Sequence, residues 1–325
     1  MMPVVPVRVV PTAPALAPVV GAAGAELAPI VLCGILLLDK PLGLSSNAAL
    51  QRVRALLGGV KAGHVGSLDP LATGMLPICL GEATKVAGEL GAARKRYRFR
   101  VALGTRTASA DAEGEVIELA AVPPLESAAV EAALERVRAI GQQIPPMYSA
   151  LKREGQPLYA LARAGVTIER APRPIELAEL RLISLQDGTA LQLETLCSKG
   201  TYVRVLAEDI AGMLGTVGHV TELRRIYVEP FEHEAMHTLE SIATQRAQGE
   251  WPKLLAPDAA LAALPAVYLG AEQARRVLLG QSVMTEPRVS EARVRLYDER
   301  GTFFGVGVSE PSGAVHPRRL LRASP

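Results

Sequence analysis

The stretch Gly63-His64-Val65-Gly66-Ser67-Leu68-Asp69-Pro70-Leu71-Ala72-Thr73-Gly74-Met75-Leu76-Pro77 limits the fold of this chain more sharply than any other. Three glycines and two prolines in fifteen residues exclude a regular helix or a central strand, because proline removes a backbone donor and glycine weakens a ladder. The stretch is expected to be a tightly folded loop, and its Val, Leu, Ala and Met residues require that the loop be partly buried. A carboxylate in such a loop must be paired or hydrogen-bonded, or its pKa rises. Asp69 is therefore either a structural cap on its own loop, since Asp before Pro commonly starts a turn, or a reactive group.

The remainder of the chain can support a buried loop. With 325 residues, 49% of them apolar, it can form one large domain or two unequal ones without disulfide or metal staples. Three cysteines, Cys33, Cys79 and Cys197, lie too far apart for a cysteine-rich secreted scaffold or a paired-cysteine zinc site. They fit a reducing compartment, and a cytoplasmic location is expected. The longest apolar run, Pro29 to Leu38, stops at Asp39 and is far shorter than the ~18 residues a membrane span needs.

Residues 1–32 hold six prolines and only two charges, Arg8 and Glu26. A disordered tail is expected there; Pro11, Pro14 and Pro18 interrupt what would be the apolar core of a signal peptide. Order is expected to begin at Gly34, with Ile35–Leu38 as a buried strand and a helix capped by Ser45 or Ser46 and ended by Gly58-Gly59. Alternation over residues 94–107 predicts a strand with Arg96, Arg98 and Arg100 on one face and Tyr97, Phe99, Val101 and Leu103 on the other. Helices are expected at 126–140, before Gly165 and at 203–214, with strands at 175–186, 190–197 and 223–228. Strands and helices mix without a regular βαβ repeat, which indicates an α+β fold. From residue 256 onward, a linker, a short helix at 271–279 and three short strands near 292–297, 302–308 and 314–320 suggest a small β-rich module.

The formal net charge is only +2, but residues 34–110 carry eleven Lys and Arg against four acids. Within that region basic and aromatic residues interleave from Arg94 to Arg100. Such a strand suits a polyanion, whose phosphates meet guanidinium groups while a base stacks on a ring. It equally suits a solvated strand with its apolar face turned inward.

Five stretches together resemble the TruB family of tRNA pseudouridine synthases: GILLLDKPLGLSSNAAL, GHVGSLDPLATGMLPICLGEATK, RKRYRFRVALGTRT, IPPMYSALKREGQPLYALAR and CSKGTYVRVLAEDIAGMLG. They span residues 34–230 in family order. The resemblance implies a mixed, largely antiparallel central sheet flanked by helices and loops. It also implies a catalytic domain over 33–255, an insertion at about 121–160 that closes over RNA, and a PUA-like RNA-binding module over 256–325. It implies isomerisation of uridine 55 in the T loop of tRNA, with no metal or organic cofactor, no membrane and no obligate protein partner, by a monomer.

Residue by residue, Asp69 resembles the catalytic aspartate, as nucleophile at the sugar C1′ or as base for the 2′ proton. Arg204 resembles the arginine that neutralises it, and Tyr97 the tyrosine that stacks on the target base and helps move the C5 proton. Tyr202 and Leu223 match pocket residues, and His64 a histidine beside the everted nucleotide. Lys40, Lys85 and Lys199 fall in family motifs and could meet phosphates or simply be solvated. Val65 and Ser67 stand where bacterial members carry Thr and Ala. A glycosidase using Asp69 would need a second carboxylate, and the sequence shows none recurring beside it. A catalytically inert RNA scaffold and a guide-RNA-dependent relative are the other readings. The intact Asp69, Tyr97 and Arg204 argue against the first, and the insertion with the short C-terminal part argues against the second.

Overall fold

The structure is a computed structural model that describes residues 32–153, 155–285 and 292–321. The expected N-terminal tail lies outside the described residues, apart from Leu32. The chain opens with strand β1 (Gly34–Lys40), helix α1 (Ser46–Leu56) and strands β2 (Ala62–His64) and β3 (Ala72–Leu80). Helix α2 (Ala87–Ala92) leads to β4 (Lys95–Leu103), then to the hairpin β5 (Thr105–Thr107) and β6 (Val116–Leu119), and to α3 (Ser127–Arg138). Short strands β7 (Gln142–Gln143), β8 (Lys152–Arg153), β9 (Gln156–Pro157) and β10 (Arg173–Pro174) surround helix α4 (Leu158–Arg163). Strands β11 (Leu177–Gln186) and β12 (Ala190–Cys197), helix α5 (Val203–Met213), β13 (Gly218–Val228) and α6 (Leu239–Ala247) complete this part.

The local causes are those the sequence indicates. The Ser45 hydroxyl accepts from the Ala48 amide at 3.1 Å and starts α1, while Gly58 takes a positive φ of 74° just past its end. The apolar run of β1 is explained by burial on both faces: Leu36 and Leu38 join one core cluster, Ile35 and Leu37 another. In β4, Tyr97, Phe99, Val101 and Leu103 all face the larger cluster.

The central sheet runs β1-β3-β13-β4-β12-β11, with β2 added beside β3. Only β3 and β13 pair in parallel; the other neighbours are antiparallel. The larger core cluster joins this sheet to α1, α3, α5 and α6. The C-terminal part is β-rich, as expected: β14 (Ala266–Tyr268), α7 (Ala271–Leu278), β15 (Val283–Met284), β16 (Ala292–Tyr297), β17 (Phe303–Ser309) and β18 (Ala314–Leu320). Its sheet has the order β14-β16-β17-β18-β15. Val86, Leu261, Val306 and Leu321 form a small cluster that seats this part on the rest.

One expectation is corrected. Gly63–Pro77 is not a loop throughout, since β2 takes its start and β3, an interior strand, its end. Interior placement is possible because β3 meets β13 only over Ala72–Gly74 and β2 only over Ile78–Leu80. The Pro77 carbonyl accepts from Val65 at 2.9 Å, on that divided side. A strand residue's N and C=O point the same way, so the missing donor of Pro77 falls in the break between partners. Only Val65–Leu71 remains loop. Gly74 is needed for close approach: at φ +99°, a Cβ there would lie 2.1 Å from the Arg225 carbonyl oxygen.

A second difference concerns the arginine face of β4. Arg96 and Arg98 pair with Glu194 at 2.8 and 3.0 Å, and Arg181 joins the same carboxylate at 2.6 Å. Burial would push Glu194 up, but the hydrogen bonds from Arg181, Arg96 and Arg98 bring it down to about 2. Arg94 and Arg106 are likewise paired, with Glu229 and Glu208. Much of the local basic excess is therefore engaged with acids brought in from distant parts of the chain.

Gly74→Ala should lower the urea unfolding free energy by about 3 kcal/mol or more, since strain at positive φ adds to a backbone clash. Gly58→Ala, where a Cβ meets nothing within 4 Å, should cost only about 1 kcal/mol.

Candidate active site

Asp69 sits in a loop held from three sides. The Ser46 hydroxyl donates to the Leu68 carbonyl at 3.0 Å and accepts from the Leu68 amide at 2.7 Å. The fully buried Lys40 donates to the carbonyls of Pro41, Leu44 and Pro70 at 2.8, 2.6 and 3.4 Å. Arg225 donates to the Gly66 carbonyl at 2.8 Å. The residues on either side of Asp69 are thus pinned to α1 and β1, which leaves its side chain to be aimed by one partner.

That partner is Arg204. Its Nε stands 2.9 Å from Oδ2 of Asp69 and its Nη2 donates to Oδ1 at 3.2 Å. The guanidinium also donates to the carbonyls of Ser109 at 2.9 Å and Tyr148 at 2.6 Å. Arg204 opens α5 because β12 delivers the chain to the Tyr202 N-cap position, where the Gln143 side chain accepts from the Tyr202 amide at 3.0 Å. Arg204 is only 4% exposed and so largely removed from water, whereas the Asp69 side chain keeps 39% exposure toward an open cleft.

The cleft has a volume of about 330 Å³ and is walled by Asp69, Tyr97, Tyr202, Arg204, Leu223 and Arg225, with Lys199 and Ala150 at its edges. This lies at the small end of the usual range for ligand sites. Sheet register explains the grouping, since Leu223 faces Ala72 of β3 and Phe99 of β4, and Arg225 faces Tyr97.

Of the six residues expected in the site, five line this cleft and His64 does not. His64 lies on β2, where burial and the Arg225 charge push its imidazole below the ordinary range. Among the lysines suggested for phosphate contact, Lys40 is buried under the loop, and burial lowers it to about 8. Lys85 donates to Glu82 and to the Leu320 carbonyl, which ties it to the C-terminal sheet. Only Lys199 borders the cleft. In the expected cover at 121–160, α3 belongs to the main core through Val130, Leu134 and Val137, while Ser149–Leu151 form a wall of the cleft.

Three contributors escaped the sequence reading. Asp111 reaches the same guanidinium, 3.7 Å from Nε of Arg204, and is 4% exposed. A second carboxylate does accompany Asp69, contrary to the expectation. It is held by the Ser109 hydroxyl at 2.5 Å and lies behind Arg204, away from the cleft wall. Lys95, whose ammonium burial lowers to about 8, lines the cleft floor with Arg225. For Arg225 a signal existed, because it shares strand parity with Leu223. For Asp111 there was none, since in the sequence it is one of a run of acids with Glu113, Glu115 and Glu118.

Arg204 was expected to cancel the cost of burying Asp69. Instead burial raises Asp69 above the ordinary carboxylate range; Arg204 pulls it back and the Asp111 charge pushes it up again. The ionised form is then lost at a higher pH than for a free aspartate. In a 13C carboxyl titration, Asp69 should titrate above the usual range. Arg204→Gln should move that transition to higher pH and Asp111→Asn to lower pH.

Residues 54–203 match the family described as "TruB family pseudouridylate synthase (N terminal domain)". Residues 204–263 and 265–321 match its two C-terminal descriptions, "tRNA pseudouridylate synthase B C-terminal domain" and "Pseudouridine synthase II TruB, C-terminal". The chain is 46% identical to the tRNA pseudouridine synthase B of Chromohalobacter salexigens over 293 residues, covering 90% of this chain and 95% of that protein. It is 47% identical over 294 residues to the protein of the same name from Stutzerimonas stutzeri, covering 89% and 96%. A chain from an H/ACA ribonucleoprotein bound to a substrate RNA containing 2′-deoxyuridine shares the fold, with a TM-score of 0.67 at 19% identity, covering 90% of this chain and 86% of that one. A chain of a Cbf5-Nop10-Gar1 complex does so with a TM-score of 0.67 at 21% identity, covering 89% and 85%. From the identity to the curated relatives, sustained over nine-tenths of its length, the chain belongs to the TruB family of pseudouridine synthases.

Proposed function

We propose that this chain converts uridine 55 in the T loop of tRNA to pseudouridine, with Asp69 acting on the ribose. The observation that carries the proposal is the Asp69 carboxylate, gripped by Arg204 at 2.9 Å and open to a cleft of about 330 Å³ beside Tyr97 and Leu223. The target atoms of a folded T loop are inaccessible in the stack, so the nucleotide must be everted, at a cost of a few kcal/mol. Tyr97 then packs against the base and Leu223 closes the opposite wall. Tyr202 contributes to the rim, and His64, one strand away, shapes the approach of the loop.

Two chemistries are open to the carboxylate. As nucleophile, its oxygen bonds to C1′ while the N1–C1′ pair departs with uracil; the base turns, and C5 attacks C1′ and releases the carboxylate. As base, it takes the 2′ proton while N1 departs, and returns that proton when C5 attacks. Both require the ionised form, which Arg204 favours. No added cofactor enters either route. The chain works on tRNA as a cytoplasmic monomer without a guide RNA.

Asp69→Asn preserves size and hydrogen bonding but removes the charge. Its pseudouridine yield on an unmodified T stem-loop RNA should fall by on the order of 10³-fold or more, with RNA affinity kept within a few-fold. Unchanged single-turnover rates in that variant would refute the role given to Asp69.

A further inference from the structure

A buried cation is costly unless a counter-charge or hydrogen-bond acceptors compensate it. Arg225 is 1% exposed and, among the described residues, pairs with no carboxylate. Its Nε donates to the Met75 carbonyl at 2.6 Å, its Nη2 to the Gly66 carbonyl at 2.8 Å and its Nη1 to the Tyr97 hydroxyl at 3.4 Å. The guanidinium carbon lies 6.0 Å from the centre of the Tyr97 ring. The approach is built into the backbone, since β13 and β4 set Arg225 opposite Tyr97, and a Cβ on Gly66 would stand 3.3 Å from Nη1. One side chain therefore ties the loop that carries Asp69 to the aromatic wall of the cleft.

We infer that Arg225 is a positioning residue for Tyr97: it fixes the phenol oxygen at the cleft wall and stabilises the phenolate that takes the C5 proton late in the isomerisation. The inference rests on the function proposed above. Once C5 has bonded to C1′, its proton must leave. The phenolate oxygen takes it, the C5–H pair becomes the C5–C6 double bond, and the N1–C6 double-bond pair returns to N1. N1 takes a proton from water, and the hydroxide takes back the proton the phenolate gained; the cycle thus starts and ends with the phenolate, whose own proton passes to water before turnover. The charged or titratable groups that act most strongly on the phenol are Arg225 from β13, Cys197 from β12 and Asp69 from its loop. Burial pushes the phenol up, and of these three Arg225 alone opposes it. A guanidinium without a carboxylate partner leaves its charge available to the phenolate.

The test uses the full chain and T stem-loop RNA carrying uridine or 5-deuterated uridine at the target position, read as single-turnover pseudouridine formation. Absence of product from the unsubstituted chain would defeat the proposed function, not this inference. With that chain active, Arg225→Lys should slow the reaction about 10-fold or more, keep RNA affinity within a few-fold and enlarge the 5-deuterium isotope effect. In a Tyr97→Phe background the same change should slow it no more than about 2-fold, because interacting residues are non-additive. An equal loss in both backgrounds, an unchanged isotope effect, or a full rate in Arg225→Lys would overturn the inference and leave Arg225 a structural strut. Should Arg225→Lys fail to fold, nitrogen NMR of the arginine side chains decides the point. Tyr97→Phe should shift an Arg225 Nη–H resonance and leave those of Arg204 in place; no shift overturns it.

Discussion

The guanidinium of Arg204 organises this molecule's chemistry. It pairs with two carboxylates, Asp69 and Asp111, and donates to the carbonyls of Ser109 and Tyr148. Those four partners come from three separate stretches of chain, and a planar fork can meet all of them at once where a lysine could not. Removing this guanidinium from water makes the geometry stringent, because a buried ion left alone is far more costly than one in place. The sheet order, the cap at Tyr202 and the clamp from Gln143 all serve to deliver that one side chain to the Asp69 loop.

Around this pair the fold collects buried cations and gives them backbone carbonyls in place of acids. Lys40, Lys95 and Arg225 each donate to such carbonyls, and none of the three shares an ion pair among the described residues. The consequence is a floor of positive potential under a single exposed carboxylate, in a concave site where field lines concentrate. That arrangement suits a polyanionic ligand better than the arginine stripe of β4, whose charges are engaged by Glu194, Glu179 and Glu222.

Much of this was legible in the residues. Strand parity placed Tyr97 and Phe99 inward, apolar spacing located α5, and the Gly- and Pro-rich stretch marked the Asp69 loop. What escaped was whatever depends on which distant strands become neighbours. Pro77 sits in an interior strand because two partners leave a gap beside it, a fact no local rule contains. Glu194 gathers three arginines only once β11, β12 and β4 are side by side. Asp111 is one of four acids within residues 111–118, and its place behind Arg204 follows from a turn held by Ser109.

Mapping pseudouridine along a whole unmodified tRNA, after incubation with the purified chain in the presence of a chelator, puts the account to its sharpest trial. It predicts complete conversion at position 55 and none elsewhere. Conversion at other uridines, a requirement for added metal, or an untouched position 55 would contradict it.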